Sequence, residues 1–151
     1  AAAPEVPLAP QPGATEIPGL VARVRAAGFA VDLVFEGAAE ALPPAVGLTA
    51  YRIVQEALTN AMRHGHPTQI RVLVRCGAEA VDLVVENDGL GAEASLVSGP
   101  SAAGGQPGSR GQGLVAMRER ASLVGGSVTA GPAAGGWRVH AQLPVDADGV
   151  R

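Results

Sequence analysis

The chain's hydrophobic patterns predict an α/β fold: a two-layer sandwich of a mixed, largely antiparallel sheet with helices on one face. Three observations lead there. Residues 45–64 and 114–124 repeat apolar side chains at helical spacing. Short runs such as "QIRVLVRC" (69–76) alternate with the period of a half-buried strand. The elements follow in the order strand, helix, two strands, long loop, helix, two strands, which suits helices packed on one side of a sheet. The pattern does not specify the order of the strands.

Each element has its own grounds. Residues 1–14, "AAAPEVPLAPQPGA", are too rich in Pro and Ala to pack and read as a linker from an upstream region. Thr15 is expected to cap a short helix over 17–27, with Ile17, Leu20, Val21 and Val24 as its buried stripe. Residues 30–35 read as a strand with Val31, Leu33 and Phe35 on one face. A turn-rich connection ends in prolines that start the helix over 45–64, and Gly65 with Pro67 stops it. Strands 69–76 and 80–86 flank a turn carrying Gly77. Residues 87–113 form a glycine-rich connection far longer than the usual ~4–6 residues, with a lid expected at about 92–110. A helix over 114–124 ends at Gly125 and Gly126. Strands 127–130 and 137–143 form a closing hairpin, and 146–151 read as a tail.

At 151 residues the chain suits one domain, here 15–145. It is 47% hydrophobic and 17% charged with net charge −3, which excludes a disordered acidic tail and a basic nucleic-acid binder. All 11 basic residues are arginine. The absence of lysine excludes a Walker A loop and the protein-kinase fold. Cys76 is the one cysteine, so neither an internal disulfide nor a cysteine metal cage can form, and a reduced, cytoplasmic setting fits. No apolar run reaches the ~20 residues of a membrane span, and no signal segment is evident. The chain does not begin with Met and is expected to be a piece of a longer protein.

Chemistry concentrates in three stretches. In "RIVQEALTNAMRHG" (52–65), Arg52, Glu56, Asn60 and His64 follow at four-residue intervals along one flank of the helix, each about 40° round from the last. Ala50, Val54, Ala57, Leu58 and Ala61 fill the other flank. By itself this seam reads first as a solvated face with an Arg52–Glu56 pair. "ENDGLG" (86–91) follows a strand and by itself is more often a turn. "RGQGLVAMRER" (110–120) opens a helix, where Gly111 and Gly113 would let backbone amides approach an anion.

Together the stretches "IVQEALTNAMRH", "VENDGLG" and "GQGLVAMRERA", in this order and spacing, resemble the ATP-binding catalytic domain of sensor histidine kinases. The wider superfamily includes gyrase, chaperone and mismatch-repair ATPases of the Bergerat-type fold. The opening "YRIVQEALTN" and the "MRER" helix are similar to the subgroup paired with NarL-like response regulators. The resemblance covers about residues 16–145. It implies that Asn60 binds the Mg²⁺ bridging the ATP phosphates and that Glu56 orients or deprotonates the attacking group. It also implies that Arg63 and His64 stand near the phosphates, and that Gly89, Gly91, Gly111, Gly113 and Leu114 belong to the ATP site.

One position departs from the family. Asn87 stands where the family has the adenine-reading Asp; its oxygen can accept from the adenine amino group and its nitrogen can donate toward ring N1. An uncharged acceptor makes the weaker bond. Asp88 is expected to point to the opposite side of the strand. The histidines are His64, His66 and His140, all within the domain, so the phospho-acceptor is expected on a separate helical hairpin that also dimerises. His66 is expected at the surface and His140 to be structural. The resemblance further implies a response regulator as partner, with neither nucleic acid nor direct membrane contact. Two alternatives are a degenerate, non-catalytic nucleotide- or partner-binding domain and an anti-sigma serine kinase of the same superfamily.

Overall fold

The structure, a computed structural model, describes residues 11–64, 69–88, 109–133 and 136–145. Five strands form one sheet: β1 (Val31–Gly37), β2 (Ile70–Cys76), β3 (Ala80–Asn87), β4 (Ser127–Ala133) and β5 (Gly136–Pro144). Their spatial order is β1-β2-β3-β5-β4. β1 pairs with β2 in parallel, and every other neighbouring pair is antiparallel. A parallel pair cannot close with a hairpin. The crossover is the long helix α2 (Pro44–His64), joined by α1 (Ile17–Ala26) and α3 (Ser109–Leu123).

The alternation read in the sequence decides which face the helices cover. Ile70, Val72 and Val74 of β2 are buried, as are Val81, Leu83, Val85 and Asn87 of β3 and Val139, Ala141 and Leu143 of β5. Against them α2 buries Val46, Ala50, Ile53, Val54, Ala57, Leu58 and Ala61. Gly113, Met117 and Ala121, four residues apart, are the buried stripe of α3. Full burial of one such large apolar side chain contributes roughly 1.5–3 kcal/mol. The opposite sheet face carries rows of alternating charge: Arg138 Nε meets Glu86 Oε2 at 2.6 Å and Arg75 Nε meets Glu36 Oε1 at 3.0 Å. His140 stands there too, with Nε2 3.5 Å from Asp82 Oδ1, far round the sheet from α2.

Several boundaries shift, each for a local reason. Thr15 does not cap α1: it lies in a 3-10 turn, Ala14–Glu16, and α1 starts from Glu16 with no side-chain cap and with Pro18 in its first turn. Ala14, in the stretch read as linker, is buried against the core. β4 runs on through Gly131 and Pro132, because β5 supplies it with partners as far as Ala133. Arg52 does not pair with Glu56: its Nη1 donates to Gln55 Oε1 at 3.4 Å, one residue nearer along the helix. Cys76 is half-buried, and its desolvation, then the Glu40 carboxylate, push its thiol pKa up.

Candidate functional site

The topology brings the end of α2, the end of β3 and the start of α3 together. A few residues join His64, the last of α2, to Ile70, the first of β2. Ile70 is the register partner of Asn87, the last residue of β3. The final turns of α2 and the end of β3 therefore lie at the same end of the sandwich, and the two elements pack on each other. The alternation of β3 turns Asn87 toward the helices and leaves it 7% exposed.

The contact between α2 and α3 is made through a missing side chain. A Cβ on Gly113 would stand 2.7 Å from Glu56 Oε2, 2.9 Å from Asn60 Nδ2 and 3.3 Å from Asn60 Oδ1. Any side chain here would force the ends of Glu56 and Asn60 to shift. The contact also shows that the Glu56 carboxylate and the Asn60 amide converge on one point beside α3. The helix begins at Ser109, five residues before the expected start at Leu114. This moves Gly113 into the second turn, where its N–H joins the helical ladder, while the Gly111 amide stays among the first-turn donors without a helical acceptor. The local cost of glycines in a helix is outweighed here by packing of the Gly113, Met117 and Ala121 face on α2.

Two buried polar atoms in this region lack partners among the described residues: Asn60 Oδ1 and Asn87 Nδ2. Buried amides are normally paired, so an orphaned acceptor and an orphaned donor at one end of the sandwich ask for a ligand that supplies both. Asn60 Oδ1 is a neutral, hard oxygen of the kind that suits Mg²⁺. Among the described residues no group of three or more His, Cys, Asp or Glu side chains gathers to hold a metal ion. A divalent ion at Asn60 would thus depend on oxygens from a phosphate chain and water, which is the usual manner of Mg²⁺.

Asp88 is set apart from the buried Asn87. It is exposed, and its Oδ1 accepts from the Gln69 amide at 3.0 Å, extending the β2–β3 ladder by a side chain. Two neighbours of Asn87 were not legible as site residues. Trp137 is its direct partner on β5, and a Cβ on Gly136 would collide with the Asn87 carbonyl oxygen. Strand alternation puts Trp137 on the inner face, but nothing in the sequence pairs it with Asn87. Arg63 is exposed on the last turn of α2, and Leu114 is half-buried next to Gly113. His64 closes α2, while Gly89, Gly91, His66 and all of the expected lid before Ser109 lie outside the described residues.

A shallow cleft of about 470 Å³ on the open sheet face is lined by Asp32, Val34, Arg71, Leu73, Glu86 and Arg138, among others. Glu86 is already held there by Arg138 and approached by Arg71 at 4.0 Å. The cleft is on the far side of the sheet from Glu56 and Asn60 and shares no chemistry with them.

Helices lie on one face of a mixed sheet, with Glu56 and Asn60 one turn apart against Gly113 of the next helix, and comparison with known proteins identifies the chain as an ATP-binding catalytic domain of the histidine-kinase type. Residues 45–147 match the family described as histidine kinase-, DNA gyrase B- and HSP90-like ATPase, and the chain belongs to it. It is 33% identical over 103 residues to the sensor histidine kinase LnrJ of Bacillus subtilis, covering 68% of this chain and 22% of that protein. It is 34% identical over 119 residues to the sensor histidine kinase YxjM of the same organism, covering 78% of this chain and 26% of the relative. The chain thus spans about a quarter of the length of these relatives. The ATP-binding domain of PrrB from Mycobacterium tuberculosis superposes with a TM-score of 0.56 at 22% identity, covering 84% of this chain and 87% of that one. A blue-light-activated histidine kinase of Erythrobacter litoralis gives 0.63 at 16% identity, covering 93% and 44%. At these identities the two structures establish the fold. No helix among the described residues is long and apolar enough to cross a membrane.

Proposed function

We propose that this chain binds Mg·ATP between the end of α2, the start of α3 and the end of β3, and donates the γ-phosphoryl group to a histidine on a helical hairpin elsewhere in its parent protein. The observation that carries the reading is the orphaned Asn60 Oδ1, converging with the Glu56 carboxylate beside Gly113. Asn60 would hold Mg²⁺, whose chemistry there would be to neutralise charge on the phosphoryl oxygens. The chain's own residues do the positioning. Asn87 holds the base at the end of β3, with Gly89 and Gly91 following it. The Gly111 amide, at the dipole-positive end of α3, faces the phosphates, and Leu114 lines the same wall. Arg63 adds positive charge, and His64 hydrogen bonds, at the phosphate end. Gly113 contributes by keeping α3 against Glu56 and Asn60.

In the transfer, a ring nitrogen of the acceptor histidine attacks the γ-phosphorus as the bond to the β-phosphate oxygen breaks, and ADP leaves with the electron pair. Glu56 orients the attacking imidazole or takes its proton. His64 is assigned to the phosphate wall and not as the acceptor, since a group on that wall would not attack in line. The domain is assigned to 15–145 with a lid at about 92–110, joined through residues 1–14 to the dimerising hairpin. The receiving partner is a response regulator of the NarL-like kind, argued from "YRIVQEALTN" and "MRER". The domain works on the cytoplasmic side, with neither nucleic acid nor membrane contact.

Calorimetry with Mg·ATP tests the binding step, and labelled ATP with a histidine-bearing hairpin supplied in trans tests transfer. The chain alone is expected to bind nucleotide without becoming labelled on histidine. With the hairpin present, Glu56→Gln should slow labelling far more than it weakens ATP binding, which marks a group acting in the transition state. Failure to bind ATP in the presence of Mg²⁺ would overturn the proposal.

A further inference from the structure

We propose that the base subsite accepts 6-oxopurine nucleoside triphosphates as well as ATP, because an amide rather than a carboxylate reads the purine edge. The inference rests on the assignment of the nucleotide to this site. Asn87 is 7% exposed, ends β3 on its helix-facing side, and leaves Nδ2 buried with no partner among the described residues. An amide offers both an acceptor and a pair of donors, whereas a carboxylate at pH 7 only accepts.

The two purine edges are mirror images in hydrogen bonding. Adenine presents a donor at C6 and an acceptor at N1, and hypoxanthine presents an acceptor at C6 and a donor at N1. An amide can meet either edge with two bonds, since a half-turn about its terminal torsion exchanges oxygen and nitrogen, and that torsion is close to two-fold. A carboxylate held at the C6 position accepts from the adenine amino group but sets its oxygen against the C6 oxygen of hypoxanthine, so there it favours adenine. No described residue holds Asn87 Nδ2 in one orientation, so a half-turn breaks no hydrogen bond among the described residues. A buried donor left unpaired is costly, so a ligand that satisfies it gains accordingly. Once bound, the 6-oxo edge satisfies Nδ2 directly, and the adenine edge satisfies it through N1.

The test is direct titration of the chain with Mg·ATP and Mg·ITP by calorimetry. Intrinsic fluorescence provides a second readout, since Trp137 is the chain's one tryptophan and the cross-strand partner of Asn87. For the parent, the ITP dissociation constant is expected within about fivefold of that for ATP. For Asn87→Asp, ATP binding should persist or tighten while ITP weakens by at least about tenfold, the loss expected when two acceptors face each other in place of a hydrogen bond. ATP binding with ITP weaker by a hundredfold or more in the parent would overturn the inference and leave the nucleotide site standing. Binding of neither would overturn both. An ITP-to-ATP ratio unchanged by Asn87→Asp would show that another group reads the base, and would also overturn it.

Discussion

Replacing Gly113 by alanine separates helix stability from nucleotide binding. Within a helix the change is worth up to about 1 kcal/mol in favour of alanine. Against that stands the added methyl, 2.7 Å from Glu56 Oε2 and 2.9 Å from Asn60 Nδ2. Both are ends of side chains rather than backbone, so they can rotate aside, each at an off-rotamer cost of about 0.5–1.5 kcal/mol. The two effects nearly cancel, and the melting temperature should move by no more than about 5 °C in either direction. Binding has no such compensation, because the side chains that yield are the ones assigned to Mg²⁺ and the attacking group. Loss of one charge-assisted contact costs about 1.5–3 kcal/mol, a weakening of Mg·ATP affinity of about 10- to 150-fold. Thermal melts and calorimetry on the same preparation give both numbers. An ATP affinity within twofold of the parent at unchanged stability would refute the placement of Glu56 and Asn60 at the phosphates.

Asn60→Ala should leave stability level or slightly raised, since it deletes a buried oxygen without a partner among the described residues, while weakening Mg·ATP about 10- to 150-fold; calorimetry with and without Mg²⁺ reads this, and equal affinities would refute the metal assignment. Gly136→Ala should behave in the opposite sense. Its methyl would collide with the Asn87 backbone carbonyl, which cannot rotate aside, so β5 must move from β3 at a cost of about 1–3 kcal/mol. A melting temperature equal to the parent's would show that the β3–β5 ladder is looser there than the register implies.

Elements of this fold were legible where local pattern and tertiary environment agree. The four-residue apolar repeat of α2 and the alternation of β2 each arise from one buried and one open face, and that division is written directly in residue type. The Glu56–Asn60 spacing could likewise be read as one helical flank. Other features depend on partners far along the chain. The earlier start of α3 offsets the poor helix propensity of its glycines against packing on α2, which no window around Gly113 contains. Thr15 lost its role as a cap because the preceding turn tucks Ala14 into the core. Arg52 turned to Gln55 rather than Glu56, a choice between side chains on one helix flank that spacing does not make.

By itself the sequence determined the α/β class and most of the elements with their inward faces, and it supplied the residues proposed for nucleotide chemistry. Only the tertiary structure decided that β1 pairs in parallel with β2, that β5 lies between β3 and β4, and that Asn60 and Asn87 each keep a buried polar atom without a partner among the described residues. The reason is physical. Residue type records the solvent each side chain prefers, a local quantity, whereas strand neighbours and the satisfaction of a buried amide are set by groups brought close only after the chain has folded.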